Sequence, residues 1–276
     1  MAFKLTCRGL IMPERTDTQS VPRSDFQVVV TGTPYGDSFY LKQQDGSSRS
    51  AECLVPIVLS LLTIKSVIDV GCGVGTWSEQ FLERGVEDVL SIDGEYVNRH
   101  LLRIPKSCFL ARDLNQPIHM DRRFDLAVCL EVAEHLKESR ADGLVDELTK
   151  LANVVLFSAA IPGQGGTDHV NEQYLSYWVS LFAAKGYVML DVLRPRIWND
   201  SRCDWVYRQN AVLFSAKRNQ IVSELQVLSG VDYIHPYQYN EILGRLNIPT
   251  LGYLLMSLPG ALKRSLQMRW RRVFAR

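Results

Sequence analysis

Long apolar runs are the first thing this sequence lacks. Its longest, CLVPIVLSLLTI (53–64), is too short to cross a bilayer and carries Pro56 near its start. It predicts a buried helix over roughly 50–63 whose first turn tolerates the proline. The N-terminal MAFKLTCRGLIMPERTD has no signal-peptide core, so a cytoplasmic protein is expected. Paired cysteines are missing too. Cys7, Cys53, Cys72, Cys108, Cys129 and Cys203 are scattered without a CxxC, which argues against a structural zinc site or a disulfide scaffold and fits reduced thiols. Net charge is nearly absent at +1, so the chain as a whole is no polyanion binder. Internal repeats and low-complexity segments are absent as well.

What remains, 46% hydrophobic and 22% charged over 276 residues, supports one full-sized domain with an appendage. Residues 1–23 are polar and without periodicity, a flexible segment. Residues 24–50 are turn-rich and carry Tyr35, Tyr40, Gln44 and Arg49. Then strands and helices alternate. SVIDVG, DVLSID, SCFLARD, FDLAVCLE and NVVLFSAA read as strands, and TWSEQFLERG, ESRADGLVDELTKL and NEQYLSYWVSLFAAKG read as helices. YVMLDVL and NAVLFSAK close the series with no helical pattern between them, which predicts a terminal antiparallel hairpin. Such alternation, with apolar strands, argues for an α/β fold with a mostly parallel sheet covered on both faces. It spans 24–220, and a helical, basic extension follows over 221–276.

VIDVGCGVGTW (67–77) runs from a strand through Gly71, Gly73 and Gly75 into a helix. Glycines there let the backbone turn sharply and approach a ligand at the carboxyl end of the sheet. Asp93, at the end of the next strand in LSIDGEY, can hold both ribose hydroxyls of a nucleotide-like cofactor. The spacing GxGxG departs from the dinucleotide pattern GxGxxG, which weighs against a nicotinamide-dependent oxidoreductase. With Asp69 before the glycines, the segment resembles the first motif of class I S-adenosylmethionine-dependent methyltransferases, over about residues 40–216. That resemblance implies a Rossmann-like, doubly wound, seven-stranded sheet with an antiparallel last strand, and S-adenosylmethionine as cofactor. It implies cofactor contacts at Asp69, Gly71, Gly73, Gly75, Trp77, Asp93 and Gly94, at the adenine position Asp113-Leu114, and at Glu131.

CLEVAEHL (129–136) spaces Glu131, Glu134 and His135 so that a helix from Glu131 onward would present all three on one face. They are either ordinary helix-start residues, favoured there by the helix dipole, or ligands. A fourth ligand is available in SAAIPGQGGTDHVNEQ, where His169 follows the fifth strand. The set resembles that of metal-dependent O-methyltransferases of the ubiquinone-pathway and small-RNA 2′-O-methylating kinds. The resemblance implies that Glu131, Glu134, His135 and His169 hold Mg²⁺ or another divalent cation that activates a hydroxyl. His135 or His169 could instead act as a general base without metal.

RPRIWNDSRCDWVYRQN adds polar and aromatic side chains, and Trp178, Trp198, Trp205, Tyr207 and Arg208 could floor a sugar site. GQGGxxHVNEQ and the later WYRQN-like stretch resemble a bacterial methyltransferase group of glycan and natural-product pathways. The expected reaction is O-methylation of a glycan or other polyhydroxylated small molecule. An RNA 2′-O acceptor is disfavoured by the near-neutral charge and the absence of a basic face around the motifs. A non-catalytic cofactor-binding module would have lost Glu131, His135 and His169. In the tail, Leu262, Leu266, Trp270 and Val273 form a stripe, and Lys263, Arg264, Arg269, Arg271, Arg272 and Arg276 meet no acid. A basic amphipathic helix there would dock on the protein's own acidic body or rest on the inner membrane face.

Overall fold

The structure, a computed structural model, describes residues 37–217, 219, 231–247 and 258. The flexible segment expected at 1–23 and the basic helix expected at 260–276 lie outside them. The chain divides into two compact units, Met1–Tyr233 and Ile234–Arg276. No helix among the described residues is long and apolar enough to cross a membrane.

The first unit opens with helix α1 (Asp37–Leu61), then β1 (Ser66–Val70), α2 (Thr76–Glu83), β2 (Asp88–Asp93), β3 (Phe109–Ala111) and β4 (Leu126–Leu130). After these come α3 (Ala141–Leu151), β5 (Val154–Ser158), α4 (Leu175–Ala184), β6 (Tyr187–Leu190), α5 (Arg194–Ile197), α6 (Trp205–Asn210) and β7 (Val212–Ala216). One seven-stranded sheet runs in the order β3-β2-β1-β4-β5-β7-β6. All pairs are parallel except those of β7, which lies antiparallel between β5 and β6. The order reverses between β1 and β4, and ligands of doubly wound sheets bind beyond the strand ends at such a point.

Side chains alternate across the sheet, as the pleat requires. Ile68, Val70, Ala127 and Cys129 join the core under α3 and α4, where Phe157, Trp178, Phe182 and Phe214 pack. Val67, Leu126, Val128 and Leu130 face the opposite core with α1, α2 and α6. Both faces are apolar because both are covered.

Two expectations need correction. Helix α1 begins at Asp37, well before the expected residue 50, and Pro56 lies in its interior. A proline there strips the carbonyl of residue 52 of its helical donor. The Arg84 guanidinium donates to that Glu52 carbonyl at 3.4 Å instead. Gly46 is helical despite its low propensity, since a Cβ there would lie 2.8 Å from the Asp204 carboxylate. The expected terminal hairpin is also replaced. Two short helices, α5 and α6, separate β6 from β7, and β7 inserts between β5 and β6. Among the described residues Cys53, Cys72, Cys129 and Cys203 are free thiols.

In the second unit, Pro236–Asn247 forms helix α7, with proline at its first position, where no helical N–H is needed. The His235 Nδ1 accepts from the Tyr237 amide at 3.2 Å and so satisfies one N-terminal donor.

Candidate functional site

The turn after β1 places Gly71 at φ 81° and Gly75 at φ 86°, both in the left-handed region. A Cβ on Gly71 would lie 2.3 Å from Val132, so the glycine also permits close approach of the loop after β4. Asp93 closes the turn. Its Oδ2 accepts from the Gly73 amide at 2.6 Å and its Oδ1 from the Gly94 amide at 2.6 Å. Burial pushes the Asp93 pKa up, against the lowering pull of these bonds.

A cavity of about 230 Å³ opens at this turn. Of the residues expected to contact a cofactor, Gly71, Gly73, Trp77, Asp93, Asp113, Leu114 and Glu131 line it, and so does His135. Asp69, Gly75 and Gly94 act from behind. Asp69 is buried and accepts from the Ser78 hydroxyl at 2.7 Å, tying β1 to α2. Gly94 provides the flat surface on which the Tyr96 ring lies, since a Cβ would meet that ring at 2.1 Å. The Tyr96 hydroxyl donates to Asp93 Oδ1 at 2.5 Å. Asp113 stands at the exposed rim, its carboxyl held below the usual range by the Asn115 amide and side chain.

The expected helix from Glu131 is not formed. Glu131, just past β4, has φ 53°, and only a short 3₁₀ turn follows over Ala133–His135. A left-handed residue directs the chain away from a helix and carries strain that concentrates at functional sites. The structure therefore brings together three of the four expected ligands. Glu134, His135 and His169 each offer an atom within 4.8 Å of the others, and the two rings meet edge to face at 4.8 Å. The Glu131 carboxylate turns to the Gln164 amide at 2.8 Å and the Asn210 amide at 3.4 Å.

Glu134 is fully buried, and neither carboxylate oxygen has a well-formed hydrogen bond. Desolvation, with the Glu131 carboxylate nearby, pushes its pKa well above the ordinary range. Burial and the neighbouring His169 pull His135 down to about 4, so its imidazole is neutral at pH 7. The loop after β5 is pinned to this turn, the Val170 and Asn171 amides donating to the Glu134 carbonyl at 2.9 and 3.0 Å. A buried unpaired carboxylate beside a neutral imidazole, with a second histidine in reach, is a donor set suited to a divalent cation with positions left open.

The expected aromatic floor separates into parts. Trp178 is core, packed on Phe157 at 5.2 Å. Trp198, Trp205 and Arg208 are half-buried away from the cavity lining. Tyr207 does line it, its hydroxyl 3.3 Å from Ser47 and its ring edge-on to Trp77 at 5.0 Å. Sequence reasoning missed Ser47 and Tyr96, which reach the site through the fold, and gave no role to Gln164 and Asn210 within the GQGG and WYRQN-like stretches.

A methyltransferase-domain family matches residues 53–211, more than half of the chain. The chain belongs to that family. Among solved structures, this methyltransferase resembles an O-methyltransferase family protein from Burkholderia thailandensis with 13% identity and a TM-score of 0.46. That match covers 65% of this chain and 60% of the Burkholderia protein, less than two thirds of its length. Magnesium protoporphyrin IX methyltransferase from Synechocystis PCC 6803, with bound SAH, shares 16% identity at a TM-score of 0.48, over 66% of this chain and 89% of its own. The methyltransferase domain of bacterial CtHen1-C shares 20% identity at 0.47, over 62% and 98%. A comparison with curated proteins finds no match.

Proposed function

We propose that the protein methylates a hydroxyl of a glycan or other polyhydroxylated small molecule, using S-adenosylmethionine and a divalent cation held by Glu134, His135 and His169. The observation that carries this reading is Glu134, buried with neither carboxylate oxygen in a well-formed hydrogen bond and within ligand reach of two histidines. S-adenosylmethionine supplies an electrophilic methyl on a sulfonium, and a bound cation lowers the pKa of a coordinated hydroxyl.

The chain's own residues do the rest. Asp93 would accept ribose hydroxyls at the end of β2, and the glycine turn would let its amides approach the cofactor without side chains between. Leu114, buried beside the cavity, would pack against the base. The strained Glu131 backbone and the Gln164 and Asn210 amides hold the Glu131 carboxylate at the cavity wall. His135 belongs to both the cavity and the ligand cluster, so a hydroxyl held at the cluster would lie beside the methyl donor. Shared placement of this kind provides the in-line approach that methyl transfer requires. A cation-free reading, with His135 as general base, is disfavoured by its lowered pKa, since an imidazole that titrates at about 4 is a weak base at neutral pH. Chelation distinguishes the two.

Calorimetry tests the cofactor half. S-adenosylhomocysteine binds the wild type, and Asp93→Ala weakens binding by about 1.5–3 kcal/mol through loss of charged hydrogen bonds. NAD binding in place of S-adenosylhomocysteine contradicts the reading.

A further inference from the structure

One carboxylate in the loop after β5 lies within the GQGGxxHVNEQ stretch but has been given no role above. Glu172 Oε1 lies 3.1 Å from His169 Nδ1 and accepts from the Gly165 amide at 2.9 Å. Its other oxygen accepts from the Gly163 amide at 2.8 Å. One side chain thus holds two turns of the glycine-rich loop and one ring of the ligand cluster. Gly163 and Gly165 have φ 84° and 73°, so the loop adopts a shape that needs such bracing. Gly166 leaves room for the other edge of the ring, since a Cβ there would lie 2.2 Å from His169 Nε2.

We propose that Glu172 is the positioning residue of the cation site, fixing the His169 ring through Nδ1 so that Nε2 is the nitrogen offered to the cation. The inference rests on the cation reading above. An ionised carboxylate only accepts, so the shared hydrogen must sit on Nδ1. That tautomer leaves the Nε2 lone pair for ligation. A carboxylate behind a ligating histidine fixes the ring and raises its basicity, and removing such a partner costs about 10- to 100-fold in metal affinity.

The test titrates Mn²⁺ into the full-length protein and into Glu172→Gln and Glu172→Ala, with S-adenosylhomocysteine titrated in parallel. Imidazole ¹⁵N correlation spectra of the same proteins read the His169 tautomer. The wild type shows the Nδ1–H form and binds Mn²⁺. Both variants lose about 10- to 100-fold in Mn²⁺ affinity with S-adenosylhomocysteine affinity unchanged, and His169 loses its single tautomer. Equal Mn²⁺ affinity and an unchanged tautomer in the variants overturn the proposal. Parallel losses of both ligands also overturn it, because Glu172 would then brace the loop as a whole. A wild type that takes up no Mn²⁺ sinks the cation reading itself, and the spectra then decide the role of Glu172 alone. If Glu172→Ala fails to fold, the near-isosteric Glu172→Gln carries the test.

Discussion

Asp69 and Asp93 are buried carboxylates on neighbouring strands with opposite surroundings. Asp93 accepts two turn amides and faces the cavity, whereas Asp69 faces Ser78 inside the protein. Burial raises the Asp69 pKa to about 7 from an ordinary 3.8. A raised folded-state pKa means that the folded protein binds more protons than the unfolded chain between these values. The stability this contributes is full below about pH 4 and is lost as pH rises through 7, with a slope of up to about 1.4 kcal/mol per unit. Asp69→Asn keeps an acceptor for Ser78 and removes the titration. The gap in melting temperature between variant and wild type therefore widens in the variant's favour from pH 4 to pH 8. A gap constant across that range contradicts the assignment. Asp93 was legible from sequence because a strand-end acid after a glycine turn has one geometry. Glu131 was legible as a residue of the cavity but not as one apart from the ligand cluster: its φ of 53° takes its carboxylate off the line that helical spacing draws. Tyr96 and Glu172 reach their partners three residues away through turns that no periodicity reveals.

At the scale of elements, what could be read was whatever depends on alternation and turn chemistry. β1, the glycine turn, α2 and β2 lie where the pattern puts them, because apolar runs and glycine stops act locally. Helix α1 was read short, since Gly46, Ser47 and Ser48 are poor helix formers and only packing against Asp204 accounts for Gly46. The insertion of β7 was hidden because α5 and α6 are too short to show a helical period. Their placement depends instead on Arg194, which is 1% exposed at the start of α5. It donates to Asp191 at 2.9 and 2.7 Å and to the carbonyl of Val231 at 3.0 Å, and lies over the Tyr233 ring at 4.5 Å. Arg194→Ala strands the Asp191 carboxylate in the interior, so unfolding by urea should show a loss of about 3–5 kcal/mol. A loss under about 1 kcal/mol means that the ion pair does not organise this edge of the sheet.

For the molecule as a whole, the sheet reversal between β1 and β4 gathers two groups of residues above one edge. The turn after β1 and Asp93 line the cavity, and the loops after β4 and β5 carry Glu134, His135 and His169. His135 belongs to both groups. The central claim is that the two sites work together: a cation and a methyl donor are bound side by side. Crystals grown with S-adenosylhomocysteine and Mn²⁺, with diffraction measured on both sides of the manganese absorption edge, test it most directly. The account predicts S-adenosylhomocysteine in the cavity with its ribose on Asp93, and an anomalous peak ligated by Glu134, His135 and His169. S-adenosylhomocysteine in place with no anomalous density among those three side chains would contradict it.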